Sequence, residues 1–250
     1  EKILSSISLA ARQNRVSIVT GDTKTVEAGA ADKIFINTAG LGLKLAGVDL
    51  GFKRINVGDK IIINGTIGDH GMTIISQRED IKFQSQLKSD CAGLAELTCQ
   101  LLEGSHSAKR HKTRSAEETS GVNPVRNKTP EVSASGLRGI SNGVKFMRDP
   151  TRGGLAATLN EISRGTGLSI EISEADVPVN PTVQTAADML GFDVLTIANE
   201  GKFVAIVSPE SADRCLNICK NNRLGKKASI IGEVIETRDV PTVELITKIG

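Results

Sequence analysis

Four short polar stretches carry the residues whose types and spacing could do chemistry. Gly21-Asp22-Thr23-Lys24 sets a carboxylate, a hydroxyl and an ammonium side by side, just after the apolar run Val16 to Val19. Gly65-Thr-Ile-Gly-Asp-His-Gly71 places Asp69 and His70 in a glycine-rich loop. Arg148-Asp-Pro-Thr-Arg-Gly-Gly154 brings Arg148, Asp149, Thr151 and Arg152 ahead of a glycine pair that opens a predicted helix. Asn199-Glu-Gly-Lys202 separates two apolar runs. Carboxylate oxygens suit a hard divalent cation such as Mg²⁺. A lysine neutralises phosphate charge, and an arginine fork matches phosphate oxygens. A helix start freed of side chains turns its backbone N–H groups toward an anion. Together these groups could hold a magnesium nucleotide and transfer its terminal phosphoryl group. Each stretch also has a plain structural reading. GDTK is a good turn, Asp-Pro-Thr is a helix-capping box, and NEGK is a hairpin turn.

The elements that must position these groups follow from periodicity. Ile3, Leu4, Ile7 and Ala10 or Ala11 have helical spacing over residues 2–13. Val16–Val19, Lys33–Thr38 and Lys60–Asn64 read as strands, with a helix beginning in Met72–Arg78 and another over Ser89–Glu103, where Asp90 suits the helix dipole. Val144–Met147 reads as a strand and Leu155–Arg164 as a helix stopped by Gly165 and Gly167. Leu168–Ile172 is a strand, and a helix with Pro181 at its first position runs to Leu190. Asp193–Ala198 and Phe203–Val207 are strands, Ser208 opens a helix through Asn221, and Ser229–Val234 is the final strand. Strands and helices intersperse without a strict βαβ rhythm, which favours an α/β or α+β sandwich over a TIM barrel or Rossmann sheet.

Composition excludes several classes. The chain has 250 residues, six Phe and no Trp or Tyr, so the core is aliphatic and bases have little to stack on. The net charge of +2 predicts no polyanionic partner, and no nucleic acid is expected. No apolar run is long enough for a membrane helix, and no signal peptide is visible. Cys91, Cys99, Cys215 and Cys219 fit no zinc template and read as small apolar residues in a reducing cytoplasm. GDTK is not a Walker A motif, and the chain has no HExxH or GxSxG. Gly104 to Gly143 has no apolar period, with seven Lys or Arg against three Glu, and reads as a disordered insertion at 104–143. A basic arm for nucleic acid is the alternative for that stretch, and His106 and His111 within it read as solvated.

VTGDTK, FINTAG, GTIGDHG, MRDPTRGGLAATLNEI and ANEGK, in this order, resemble the HypE family of nickel–iron hydrogenase maturation proteins. That family lies in the PurM-like, AIR synthase-related superfamily of ATP-dependent enzymes, with SelD and ThiL as relatives. The resemblance spans nearly all of the chain outside Gly104–Gly143. It implies a two-domain PurM-like fold with the N-terminal domain truncated. Residues 1–56 would be the remnant of the ATP-binding domain, 57–238 the C-terminal domain, and 239–250 the start of a tail. It implies a cytoplasmic homodimer that uses ATP and Mg²⁺ to dehydrate a carboxamide on the sulfur of its own C-terminal cysteine. The implied partners are HypF as donor of the carboxamide and the HypC–HypD complex as acceptor of the resulting cyanide.

Carried onto this chain, Asp22 would bind Mg²⁺ and nucleotide, with Thr23 and Lys24 beside the phosphates and Asn37 and Thr38 lining the same groove. Asp149 would bind metal and nucleotide, and Arg152 nucleotide. Glu200 and Lys202 would act in proton transfer or orientation, with His70 as a further base. The chain departs from the family in opening on Glu1 without the glycine-rich acidic segment, and in ending at Gly250 without a terminal cysteine. Cys219 sits in a predicted helix and is no substitute. The chain therefore reads as a fragment that is inactive by itself. The alternatives are another PurM-like enzyme, such as a selenophosphate synthetase, or a non-catalytic maturation scaffold.

Overall fold

The structure, a computed structural model, describes residues 1–31, 33–45, 47–81, 87–103 and 143–249. The insertion predicted at 104–143, with His106 and His111, lies outside the described residues save Gly143. The chain divides into two compact units, Glu1–Leu45 and Ala46–Gly250.

Within Glu1–Leu45, helix α1 spans Lys2–Gln13 as the apolar spacing predicts, and none of its residues is buried. The strands predicted at Val16–Val19 and Lys33–Thr38 do not form. Their apolar residues, including Val19 and Phe35, are exposed. An apolar run becomes a strand only against a ladder partner, and no strand pairs with either run among the described residues.

The larger unit is built on a six-stranded sheet in the order β2-β4-β1-β5-β3-β6. Its strands are β1 (Lys60–Ile63), β2 (Val144–Arg148), β3 (Ser169–Ser173), β4 (Val204–Val207), β5 (Ser229–Ile235) and β6 (Val243–Ile246). β1 pairs antiparallel with β4 and β5, β2 with β4, and β3 with β5, while β6 runs parallel to β3. β6 lies beyond the strand predicted to be last. Its parallel pairing, set by tertiary contact, leaves no local turn signal.

The helices are α2 (Asp69–Arg78), α3 (Ala95–Glu103), α4 (Gly154–Thr166), α5 (Pro181–Leu190) and α6 (Ala212–Asn221). The continuous apolar run of β1 is explained by cover on both faces. Ile61 and Ile63 join Val204 and Ile206 against Leu155, Leu159 and Ile162 of α4. Ile62 faces the other way with Ala205 and Val207, against Leu97 and Leu101 of α3 and Cys215 and Cys219 of α6. A third cluster joins Met72 of α2 to Val183, Ala186 and Ala187 of α5. Each fully buried Ile or Leu contributes about 1.5–3 kcal/mol.

The structure corrects three further expectations. Asp193–Ala198 is not a strand but holds a short 3₁₀ turn, Val194–Thr196. Asp193 caps it, its carboxylate accepting the Leu195 N–H at 2.9 Å. The helix predicted from Ser89 begins only at Ala95, so Asp90 is not a helix-dipole residue. Asp69 and His70, read as loop residues, form the first turn of α2.

Candidate active site

Three of the four polar stretches meet around one buried asparagine. Asn199 is fully buried. Its Oδ1 accepts the Gly68 N–H at 2.7 Å, and its Nδ2 donates to the carbonyls of Pro150 and Ile197, each at 3.0 Å. Its backbone N–H donates to the same Pro150 carbonyl at 3.2 Å. One amide thereby ties the stretch of Asp149 and Arg152 to that of Asp69 and His70, and both to its own neighbours Glu200 and Lys202. A second fully buried amide, Asn64, ends β1. Its Oδ1 accepts the Phe203 N–H at 2.8 Å, and its Nδ2 donates to Gly201 at 3.3 Å and Leu224 at 3.0 Å. Buried amides fully bonded in this way fix backbone positions, because every alternative leaves an unmet polar group.

Glycine is required at two positions in this region. Gly154 has φ +64°, and a Cβ on it would lie 2.5 Å from the Leu195 carbonyl oxygen. Gly201 has the same φ, and a Cβ there would lie 2.2 Å from the carbonyl oxygen of Asp90. Both are close approaches of backbone to backbone that an L side chain would block.

Lys202 turns inward, not to solvent. Its ammonium meets Asp90 Oδ2 at 2.5 Å, with only 9% and 10% of the two side chains exposed. Asp90 Oδ1 is buried with no hydrogen-bond partner. Asp69 is also buried, and the Thr66 hydroxyl donates to its Oδ2 at 2.5 Å. Burial pushes the Asp69 carboxyl above its usual value, and the Thr66 bond and the Lys202 charge pull part of the way back. Thr66, Asp69, Asp90, Asn180, Thr182 and Lys202 line a cavity of about 330 Å³. His70 is half-buried, its Nδ1 2.9 Å from the Ser89 hydroxyl. Glu200 is half-buried in the turn before Lys202.

Asp149 and Arg152 are exposed, next to the glycine pair that begins α4. Arg148 of the same stretch pairs with Glu161. In Glu1–Leu45, Asp22, Thr23, Lys24, Asn37 and Thr38 are all exposed. There Asp22 Oδ1 accepts the N–H of Thr23 at 2.8 Å, the local bond of a turn. Among the described residues, no group of three or more His, Cys, Asp or Glu side chains is placed to hold a metal ion.

Cys215 and Cys219 are buried one turn apart on α6. Burial, with Cys215 close by, pushes the Cys219 thiol up to about 12. It stays protonated at neutral pH and is no nucleophile. No helix among the described residues is long and apolar enough to cross a membrane.

Sequence reasoning gave no site role to Asn64, Asn199, Asp90 or Asn180. A polar amide ending an apolar run, as in Ile61-Ile-Ile-Asn64 or Thr196-Ile-Ala-Asn199, is the signal that could have marked the first two. Asp90 and Lys202 are 112 residues apart, and no local pattern announces their pairing.

The sequence pattern of the family described as AIR synthase related protein, C-terminal domain, matches residues 56–243. Carbamoyl dehydratase HypE of Bradyrhizobium diazoefficiens is 40% identical over 248 residues, which is 99% of this chain and 61% of that protein. The fold also superposes on HypE in the crystal structure of a HypE–HypF complex, with a TM-score of 0.81 and 37% identity, over 100% of this chain and 69% of the other. The chain belongs to the HypE family. HypE of Escherichia coli K12 is 38% identical, over 95% of this chain and 60% of that protein. A crystal structure of HypE in complex with ATP matches with a TM-score of 0.80 and 34% identity, over 100% of this chain and 65% of the other. The chain thus spans about three fifths of the length of the curated HypE relatives, 61% of the first two.

Proposed function

We propose that this chain is the part of a cytoplasmic carbamoyl dehydratase that holds ATP and Mg²⁺ and converts a protein-bound S-carboxamide to a thiocyanate. Residues 1–56 are assigned to its ATP-binding domain and 57–238 to its C-terminal domain; within the 239–250 stretch assigned to its tail, Val243–Ile246 pairs with β3 as part of the sheet. The single observation that carries the reading is the asparagine clamp. Asn199 gathers the Arg148–Gly154, Gly65–Gly71 and Asn199–Lys202 stretches into one place, and membership of the HypE family supports reading that gathering as the dehydratase site.

The residues present fit a magnesium nucleotide. Gly153 and Gly154, at φ +74° and +64°, open α4 without side chains; the Gly154 N–H is donated to the Thr151 carbonyl at 3.1 Å, and the N–H groups that follow it in the first turn are the ones assigned to phosphate. Arg152 adds a guanidinium beside them. Mg²⁺ keeps several waters and needs only one or two protein carboxylates; Asp149 and Asp22 are the carboxylates assigned to metal, each within its own unit. Thr23, Lys24, Asn37 and Thr38 are assigned to the nucleotide. ATP would supply the phosphoryl group that turns the amide oxygen into a leaving group.

One N–H proton leaves to His70 as the amide oxygen is phosphorylated, and Glu200 takes the second as phosphate departs, which closes the carbon–nitrogen triple bond. Lys202, held by Asp90, orients the amide. His70 is a further base whose ring Ser89 already holds in place. HypF, present in the complex of the similar structure, is the proposed carboxamide donor. The HypC–HypD complex is the proposed acceptor, and the working form is a homodimer.

The test is mass spectrometry of the whole carbamoylated protein that contains this chain, mixed with MgATP. Loss of one water from the protein, abolished in Glu200→Gln, is expected. An unchanged mass with ATP bound would sink the dehydratase reading.

A further inference from the structure

The sheet ends in two edge strands, β2 and β6. The β2 edge is partly closed, because the Gly51 N–H donates to the Lys145 carbonyl at 3.0 Å. The β6 edge is open. In the ladder with β3, the Thr242 and Ile246 carbonyls accept the N–H groups of Ile170 and Glu174, each at 2.9 Å. Val243 lies opposite Ile170 and Leu245 opposite Ile172. Backbone groups alternate in direction along a strand, so Val243 and Leu245 turn their N–H and C=O groups away from β3. No strand of the described residues pairs with them. The side chains beside this edge are apolar, with Leu245 39% and Ile246 47% exposed. An unpaired edge of this kind is a template for another strand.

The charges along β6 decide which strand fits. Glu244 stands two residues before Ile246, and Lys248, in the turn just past the strand, stands two residues after it. Among the described residues neither charge belongs to an ion pair. A second β6 laid antiparallel and centred on Ile246 sets Ile246 against Ile246. It also sets Glu244 of each copy against Lys248 of the other. Such opposed apolar and opposite-charge pairs are what stabilise a sheet edge. Moving the centre by one residue in either direction loses both charge pairs. The edge is therefore complementary to itself in one register.

We infer that the open edge of β6 is a docking surface for a second copy of this chain, joined antiparallel about Ile246. The inference stands on the sheet alone and is independent of the dehydratase reading. Four residues form the strand, so the contact is small and the association weak and concentration-dependent.

Disulfide cross-linking of the 250-residue chain tests it. Cys91→Ser removes the exposed thiol and gives the baseline. Cysteines at the paired centre would lie about 4.5 Å apart at Cα, within disulfide reach. Ile246→Cys should therefore form covalent dimer on mild oxidation about tenfold faster than Met189→Cys, a control position 72% exposed on α5. Glu244→Cys and Lys248→Cys proteins, mixed, should cross-link to each other faster than either does to itself. Leu245→Pro, added to Ile246→Cys, removes an N–H that faces away from β3 and so leaves the internal ladder whole. It should cut the Ile246→Cys rate about tenfold without unfolding the chain. Equal rates at Ile246 and Met189 would leave the edge to a strand of some other protein and overturn the inference. An unchanged rate in the folded Leu245→Pro protein overturns it too. The mixed-register experiment needs no proline, and equal self and mixed rates there are equally decisive against it.

Discussion

Two ion pairs of the same chemistry hold stretches that Asn199 joins. Lys202 and Asp90 expose 9% and 10% of their side chains, whereas Arg148 and Glu161 expose 43% and 48%. The inner pair lies beside the buried amides Asn64 and Asn199. The outer pair lies in water, on the rim that carries Asp149 and Arg152. The difference teaches how such a site divides its labour. A fixed floor of buried amides and one buried ion pair sets positions, and an exposed rim leaves the charges of Asp149 and Arg152 in solvent. Burial raises the consequence of losing one partner, because a charge left alone in low dielectric has no water to replace it. Exposure lowers it, because solvent and salt already share the work.

Breaking the inner pair is the strongest way to test this contrast. Lys202→Met leaves Asp90 charged and alone, and urea unfolding should show a loss of about 3–5 kcal/mol. Adding Asp90→Leu should recover most of it. A single-variant loss no larger than that of a surface pair would erase the distinction between floor and rim. Next in size is Asn199→Ala, which orphans the Gly68 N–H and removes the side-chain donor from the Ile197 carbonyl, while the Pro150 carbonyl keeps the backbone N–H of residue 199. It should cost about 3 kcal/mol by the same measurement.

The legibility of the molecule follows the same division. The rim was readable as a motif, since Asp149 and Arg152 stand in a short stretch whose residue types suggest chemistry. The two-faced burial of Ile61-Ile-Ile63 and the Asn180-Pro181 cap were also readable, because each is a local pattern. The floor was not. Asp90 pairs with a residue 112 positions away, and Asn64 and Asn199 look like ordinary turn residues until their partners are known. Val16–Val19 and Lys33–Thr38 misled for a related reason: apolar spacing reports that a run could be buried, and pairing decides whether it becomes a strand. Asp193–Ala198 misled because the local Asp193 cap, invisible to hydrophobic counting, outweighs the strand propensity of its apolar residues.

The titrations sharpen the contrast from another side. Burial holds the Asp69 carboxyl above its ordinary value of 3.8. The folded chain therefore binds that proton more firmly than the unfolded chain. Stability from this group is fully present below 3.8 and is lost as pH rises through the folded value. Asp69→Asn should flatten that decline in melting temperature. Cys219 follows the same sign at the alkaline end. With its thiol raised from 9.0 to about 12, its contribution is complete below pH 9 and is lost between there and 12. Cys219→Ala should reduce that alkaline loss, with Cys215 accounting for part of what remains. The smallest effect belongs to the rim. Arg148→Ala should cost about 1 kcal/mol or less, and the loss should shrink as salt is added.

The central claim is that the rim gathered by Asn199 meets a nucleotide, and MgATP binding to Arg152→Ala tests it most directly by calorimetry. Arg152 is exposed, so the variant should melt as the parent does while binding MgATP about tenfold more weakly. Equal affinity in the two proteins would contradict the claim.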